Sequence, residues 1–150
     1  MIQVKHILGI ETSCDETASA VLRNDFRILS NVVLSQDEIH APYGGIVPEL
    51  ASRQHLRSIN FIVRESLSRA GLELDEIDAY AVTQGPGLIG SLLVGLSFAK
   101  GLAYYFQKPL VGIDHLQAHI EGAFLEQRDI PFPLSLIHIS EPRDRQKSRM

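Results

Sequence analysis

Cysteine is scarce in this chain, and neither sign of charge is in large excess. Cys14 is the only cysteine among 150 residues, which excludes an internal disulfide and favours a reducing compartment, so we expect a cytoplasmic protein. The formal net charge of −4 argues against a broad nucleic-acid-binding face but leaves room for a local basic patch. No internal repeat or low-complexity tract is visible, and the length suits one domain or one lobe of a larger protein.

Long uninterrupted apolar segments are also missing. The apolar run near the start is broken by Glu11, Asp15 and Glu16, so no signal peptide is predicted. Residues 88–106 form the longest apolar run and approach membrane-spanning length, but they include Lys100 and several small residues. A helix packed tightly against a sheet explains this run better than a membrane span, and no membrane contact is expected.

The hydrophobic pattern predicts an α/β fold. Three short apolar runs separated by polar turns are typical of an antiparallel meander. The rest of the pattern alternates helix and strand, so the predicted order is βββαβαβα. The predicted strands cover residues 7–10, 18–22, 28–34, 79–83 and 109–113; the helices cover 47–70, 91–106 and 116–125, and a loop covers 35–45.

The first long helix is predicted to be amphipathic and to stop at Gly71. Its apolar stripe comprises Val47, Leu50, Ala51, Ile59, Ile62, Val63, Leu67 and Ala70. Its opposite face carries Arg53, Arg57, Arg64 and Arg69. These arginines indicate either a solvated surface or a modest basic stripe that faces an RNA partner.

Two turns could bind a ligand. The turn after the first strand contains Thr12, Ser13, Asp15 and Glu16, whose hydroxyls and carboxylates can contact a phosphate, hold Mg²⁺ or orient a nucleophile. The same residue types are common in a solvated hairpin. The second turn, at residues 84–91, has glycines that allow close approach of a neighbour or a ligand, but it is neither a Walker loop nor a dinucleotide fingerprint.

A histidine pair follows the last predicted strand. His115 and His119 are four residues apart at the start of a helix, so both rings can point the same way. Two imidazoles on one face can hold Zn²⁺ or Fe²⁺, provided that a third ligand comes from elsewhere. Leu116 occupies the position of the general base in His-Glu-x-x-His proteases. The alternative is a pair of half-exposed histidines with no ligand.

The chain changes character near its end. Residues 131–134 resemble the entry to another strand, but apolar periodicity is lost after them. We therefore predict a lobe over residues 1–134 and a disordered tail over 135–150, whose abrupt loss of pattern suggests a frameshift or foreign sequence.

Four ordered motifs resemble one family. Residues 9–17 (GIETSCDET), 43–53 (YGGIVPELASR), 85–88 (GPGL) and 115–119 (HLQAH) are similar to the amino-terminal lobe of bacterial tRNA N6-adenosine threonylcarbamoyltransferases, once described as O-sialoglycoprotein endopeptidases. The resemblance implies a ribonuclease-H-like lobe of the actin, Hsp70 and sugar-kinase type. It also implies transfer of threonylcarbamoyl from its adenylate to adenosine 37 of tRNA.

The resemblance further implies roles for individual residues. His115 and His119 would be ligands of one divalent metal, iron or zinc, and Asp15 and Glu16 would be catalytic. Thr12 and Ser13 would contact the substrate phosphate. The lobe helices would bind a partner protein of similar fold, and tRNA would be the other partner.

Two departures from the family pattern limit these expectations. Gln117 stands where the family generally has a glutamate. The Ser-Gly-Gly-His loop, the second lobe and its aspartate ligand are not found after Leu134. The leading hypothesis is therefore a truncated lobe that is inactive alone and binds metal weakly. The alternatives are a non-catalytic module that binds a partner through helices 47–70 and 91–106, or a lobe of a small-molecule kinase.

Overall fold

A computed structural model describes residues 4–126 of the chain. They form five strands and four α-helices: β1 (His6–Glu11), β2 (Glu16–Arg23), β3 (Ile28–Ser35), α1 (Asp37–His40), α2 (Pro48–Ala70), β4 (Ala79–Gly85), α3 (Ile89–Phe106), β5 (Leu110–Asp114) and α4 (His115–Glu126). Short 3₁₀ turns cover Ala41–Tyr43 and Leu74–Glu76. The predicted lobe boundary at residue 134, the strand entry at 131–134 and the predicted tail over 135–150 lie outside the described residues.

The five predicted strands are present, and they form one mixed sheet. Their order is β3-β2-β1-β4-β5. The first three are antiparallel neighbours, whereas β1, β4 and β5 run parallel. Parallel strands end at the same edge of a sheet, so the carboxyl ends of β1, β4 and β5 lie side by side. The turns that carry the candidate site residues begin at that edge.

The main core lies between one sheet face and the helices α2 and α3. Alternation along the strands places Leu8, Ile10 and Val82 on this face, while Gly9 and Ala81 point to the other face. The predicted apolar stripe of α2 is confirmed, because its central residues Ile59, Ile62, Val63 and Leu67 are buried. The positive φ of 68° at Gly71 ends α2 in a left-handed cap, which is the predicted stop.

Helix α3 packs through small side chains. Its buried residues recur every fourth position, at Ser91, Gly95, Ala99 and Ala103, so the helix axis lies close to the residues beneath it. By length and composition alone α3 is apolar enough to cross a membrane, with a mean hydropathy of 1.3. In the fold it packs against α2 and β4, which agrees with the predicted sheet-packed helix.

The predicted loop over residues 35–45 contains more structure than the sequence pattern indicated. Helix α1 and a 3₁₀ turn occupy most of it, and they are too short to show a helical period. The segment is anchored by polar side chains, because Gln36 and His40 are both buried.

Candidate functional site

A groove of about 1100 Å³ lies on the sheet face opposite α2 and α3, beside α4. Its floor consists of small residues on adjacent strands, including Gly9, Ala20 and Ala81. One wall is the bend between β1 and β2, and the other is helix α4. The groove is therefore open above the floor, with polar groups at the carboxyl end of the parallel strands.

The structure brings five of the six predicted site residues to this groove. Ser13, Asp15 and Glu16 line it from the bend, and His115 and His119 line it from α4. The two walls touch, since Oγ of Ser13 lies 3.1 Å from Nδ1 of His115. Residues that are about one hundred positions apart in the chain thus form one site.

Thr12 is the exception. Its side chain is only 1% exposed, it does not line the groove, and its hydroxyl donates a 2.8 Å hydrogen bond to the carbonyl of Ser91 in α3. Thr12 thus anchors the bend to a helix in the described structure. A phosphate contact by its side chain stays a prediction.

The bend is held from below by the turn that precedes α3. The N–H of Leu88 donates a 2.8 Å hydrogen bond to the carbonyl of Ser13. A Cβ atom at Gly87 would lie 2.6 Å from that same carbonyl oxygen, so the close approach requires glycine. At Gly87 the structure therefore supports the first predicted explanation, close approach of a neighbouring segment.

Helix α4 begins with the histidine pair. The carboxylate of Asp114 accepts hydrogen bonds from the N–H groups of Leu116 and Gln117, at 2.9 and 3.0 Å, and so caps the helix. The rings of His115 and His119 meet edge to face, with centroids 4.5 Å apart. Their Nε2 atoms are 3.1 Å apart, so both nitrogens converge on one point, as the spacing predicted.

Glu11 is a site residue that no motif or spacing in the sequence indicated. It ends β1, and its carboxylate accepts hydrogen bonds from Nδ1 of His115 at 3.1 Å and from the Thr83 hydroxyl at 2.5 Å. It also accepts a hydrogen bond from the N–H of Ser13. A glutamate at the end of a buried strand is a signal that could have identified it, because a half-buried carboxylate needs donors.

The contact shifts the pKa values of both partners. Burial alone would raise the pKa of Glu11, but the hydrogen bonds from His115, Ser13 and Thr83 outweigh it and lower that pKa to about 2. The hydrogen bond to Glu11 raises the pKa of His115 against the opposing effect of burial. Glu11 is therefore ionised at neutral pH, and it favours the protonated imidazole of His115.

The histidine pair fits half of a metal site. Two nitrogens bound at about 2.0–2.1 Å to a tetrahedral metal lie about 3.3 Å apart, which is close to the 3.1 Å between the two Nε2 atoms. Across residues 4–126, however, no group of three or more histidine, cysteine, aspartate or glutamate side chains could hold a metal ion. A metal bound by this pair would need a third ligand from outside the described residues.

A buried polar network lies beneath the bend, and no pattern in the sequence predicted it. His55, on α2, is fully buried, and its Nε2 donates a 3.0 Å hydrogen bond to the carbonyl of Cys14. Its Nδ1 lies 2.8 Å from the Thr17 hydroxyl and 3.3 Å from the amide nitrogen of Gln36. Gln36 in turn bonds to His40 at 3.1 Å. These bonds connect α2 and the segment that contains α1 to the bend, although helical periodicity suggested only an apolar stripe.

The arginine face of α2 is exposed, and two of its members are paired. Arg53 contacts Glu49 at 2.6 Å and Arg69 contacts Glu65 at 2.7 Å, both four residues apart. Such exposed pairs contribute little stability and are consistent with a solvated surface. An RNA contact on this face stays a prediction.

Comparison with known proteins supports one family. The family model for tRNA N6-adenosine threonylcarbamoyltransferase matches residues 27–140. The chain is 52% identical over 136 residues to the tRNA N6-adenosine threonylcarbamoyltransferase of Clostridium perfringens, covering 91% of this chain and 40% of that protein. It is 54% identical over 140 residues to the protein of the same name in Syntrophomonas wolfei, covering 93% and 41%. The chain thus spans about two fifths of the length of these relatives.

Solved structures agree on the fold. YeaZ from Pseudomonas aeruginosa matches with a TM-score of 0.63 and 24% identity, over 83% of this chain and 50% of that one. RuvC from T. thermophilus, in complex with a Holliday junction substrate, matches with a TM-score of 0.50 and 16% identity, over 90% and 87%. Both have ribonuclease-H-like folds, which confirms the predicted fold class. With the family match over residues 27–140, the chain belongs to the tRNA N6-adenosine threonylcarbamoyltransferase family.

Proposed function

We propose that this chain is the truncated amino-terminal lobe of a metal-dependent, cytoplasmic transferase that adds threonylcarbamoyl to adenosine 37 of tRNA, and that it is inactive alone. The observation that carries the proposal is the convergence of the histidine pair and the Ser13–Glu16 bend on one groove, in a chain that belongs to this family.

Each residue of the groove has a proposed role. His115 and His119 would hold iron or zinc, and such a metal would supply a Lewis acid for the carbonyl of the carbamoyl donor. The hydroxyl of Ser13 would bind the phosphate of the adenylate. The carboxylates of Asp15 and Glu16 would orient the amine of the adenosine and accept its proton. Thr12 would support the bend through its bond to Ser91.

The inactivity follows from what the described residues provide. The groove has a floor and two walls but no cover formed by residues 4–126, so water can reach a bound adenylate. The histidines supply two metal ligands, and a two-ligand site binds metal weakly. A second lobe would provide both the cover and the third ligand.

An assay of tRNA modification tests the proposal. The purified chain is incubated with threonylcarbamoyl adenylate, tRNA and candidate partner proteins, and the modified nucleoside is measured by mass spectrometry of digested tRNA. The full-length C. perfringens relative, similar in sequence over this lobe, serves as the reference. We expect no product from the chain alone. Turnover by the chain would refute the inactivity.

ATP binding without any binding of tRNA would instead favour the alternative that the chain is a lobe of a small-molecule kinase.

A second function, a non-catalytic module that binds a partner of similar fold, is favoured by exposed apolar side chains on α2 and α3. Leu56 and Phe61 on α2 are 69% and 64% exposed, and Leu93 and Tyr104 on α3 are 55% and 82% exposed. These exposed apolar side chains on two neighbouring helices are groups that a partner helix pair could cover.

Two substitutions that add the same charge test this surface. Leu93→Glu places the charge on it, and Asn24→Glu places the charge at an exposed position in the turn between β2 and β3, outside both helices. We expect Leu93→Glu to weaken co-purification with a ribonuclease-H-like protein from the same organism and to leave the circular dichroism spectrum unchanged. Equal binding by both variants would argue against a partner surface at Leu93.

A further inference from the structure

We propose that Glu11 is a positioning residue that selects the tautomer of His115 and thereby aims its Nε2 lone pair into the groove. The inference rests on the proposed function of the histidine pair as metal ligands. Glu11 is not itself proposed as a ligand, because it contacts Nδ1 of His115 and not the converging Nε2 atoms.

The carboxylate of Glu11 is fixed from three directions. One oxygen accepts the N–H of Ser13 in its own bend. The other oxygen accepts the hydroxyl of Thr83 on β4 at 2.5 Å and Nδ1 of His115 on α4 at 3.1 Å. The donors belong to the bend, a neighbouring strand and the helix of the site. The orientation of the carboxylate is therefore determined by the packing of these elements.

This arrangement leaves one choice for the imidazole. An ionised carboxylate only accepts hydrogen bonds, so Nδ1 of His115 has to be the donor. A neutral imidazole has a single N–H, and Nε2 therefore keeps its lone pair. That nitrogen faces Nε2 of His119 at 3.1 Å. Carboxylates behind ligating histidines hold ring orientation and tautomer in many metal sites.

The other neighbour of Nδ1 cannot make this choice. Oγ of Ser13 also lies 3.1 Å from Nδ1, but a hydroxyl can donate or accept and is compatible with either tautomer. Without the carboxylate, His115 would be free to carry its proton on Nε2 and to turn its lone pair away from the groove. Glu11 is thus the group that decides between the two tautomers.

Nuclear magnetic resonance of ¹⁵N-histidine-labelled protein tests the proposal without metal. At alkaline pH, where His115 is neutral, the ring nitrogens of the unaltered full chain should show the proton on Nδ1. In Glu11→Gln, whose amide can donate as well as accept, the Nε2–H tautomer should become populated. The matched control is Glu121→Gln, which removes another carboxylate of the groove and should leave the tautomer of His115 unchanged.

Zinc titration by calorimetry gives a second readout. Glu11→Gln should weaken Zn²⁺ binding by about 10- to 100-fold, whereas Glu121→Gln should not. An Nε2–H tautomer in the unaltered chain would overturn the proposal, and this measurement needs no variant to fold. An unchanged tautomer and unchanged zinc affinity in folded Glu11→Gln would overturn it as well. A tautomer shift with no zinc binding by any chain would support Glu11 as a positioning residue while refuting the proposed metal site.

Discussion

Replacing Gly95 with alanine should destabilise this fold, whereas the same replacement at Gly101, on the same helix, should stabilise it. A Cβ atom at Gly95 would overlap Oγ1 of Thr12 and would lie 3.3 and 3.4 Å from its Cγ2 and Cβ atoms. A Cβ atom at Gly101 would meet no atom within 4 Å. Comparing the two substitutions therefore separates the effect of close packing between α3 and the bend from the effect of helix propensity.

The magnitudes follow from three effects. Alanine in place of glycine in a helix contributes about 1 kcal/mol of stability at either position. At Gly95, overpacking costs about 1–3 kcal/mol. Displacing the Thr12 hydroxyl from the carbonyl of Ser91, now 2.8 Å away, costs about 1 kcal/mol more. We expect Gly95→Ala to lower the free energy of unfolding by about 1–3 kcal/mol, and Gly101→Ala to raise it by about 1 kcal/mol.

Urea unfolding followed by circular dichroism measures both changes. A Thr12→Ala variant, combined with Gly95→Ala, completes a double-mutant cycle, and the pair should show a favourable coupling because the overlapping side chain is gone. Equal stability of Gly95→Ala and Gly101→Ala would refute the close packing of α3 on the bend. Additive effects of Thr12→Ala and Gly95→Ala would refute the assignment of the overlap to Thr12.

Three further predictions concern pH and metal. Glu11→Gln removes the Glu11–His115 contact and should reduce the free energy of unfolding most between pH 4.5 and 6.5. The lowered pKa of Glu11 stabilises the folded state above pH 4.5, and the raised pKa of His115 stabilises it below pH 6.5. Equal destabilisation of the variant at pH 9 and pH 5.5 would contradict this prediction. Burial lowers the pKa of His55 despite its bond to Cys14, so the stability of the fold should fall as the pH drops below 6.5. His55→Gln should make that fall shallower in thermal unfolding scans recorded at a series of pH values. An unchanged dependence of stability on pH would contradict this prediction. His119→Ala should abolish binding of Zn²⁺ in calorimetry while Gln117→Ala, on the same helix, leaves it unchanged; equal binding by both would exclude His119 as a ligand.

The elements of the fold were largely predictable, because each depends on a local pattern. Strand alternation and helical periodicity placed all five strands and the three long helices, with boundaries off by at most two residues. Helix α1 was missed since its four residues are too few for a period. The convergence of the two histidines was also predictable, because residues four apart on a helix share a face.

Local patterns in the sequence specify the order of strands and helices, the family motifs and the shared direction of His115 and His119. Only the packed fold shows that Glu11 lies behind His115, 104 residues away, that the Thr12 hydroxyl bonds to α3, and that His55 supports the bend from α2. Periodicity reports which face of an element is buried, whereas partners across a sheet edge depend on which strands are neighbours and where their ends meet.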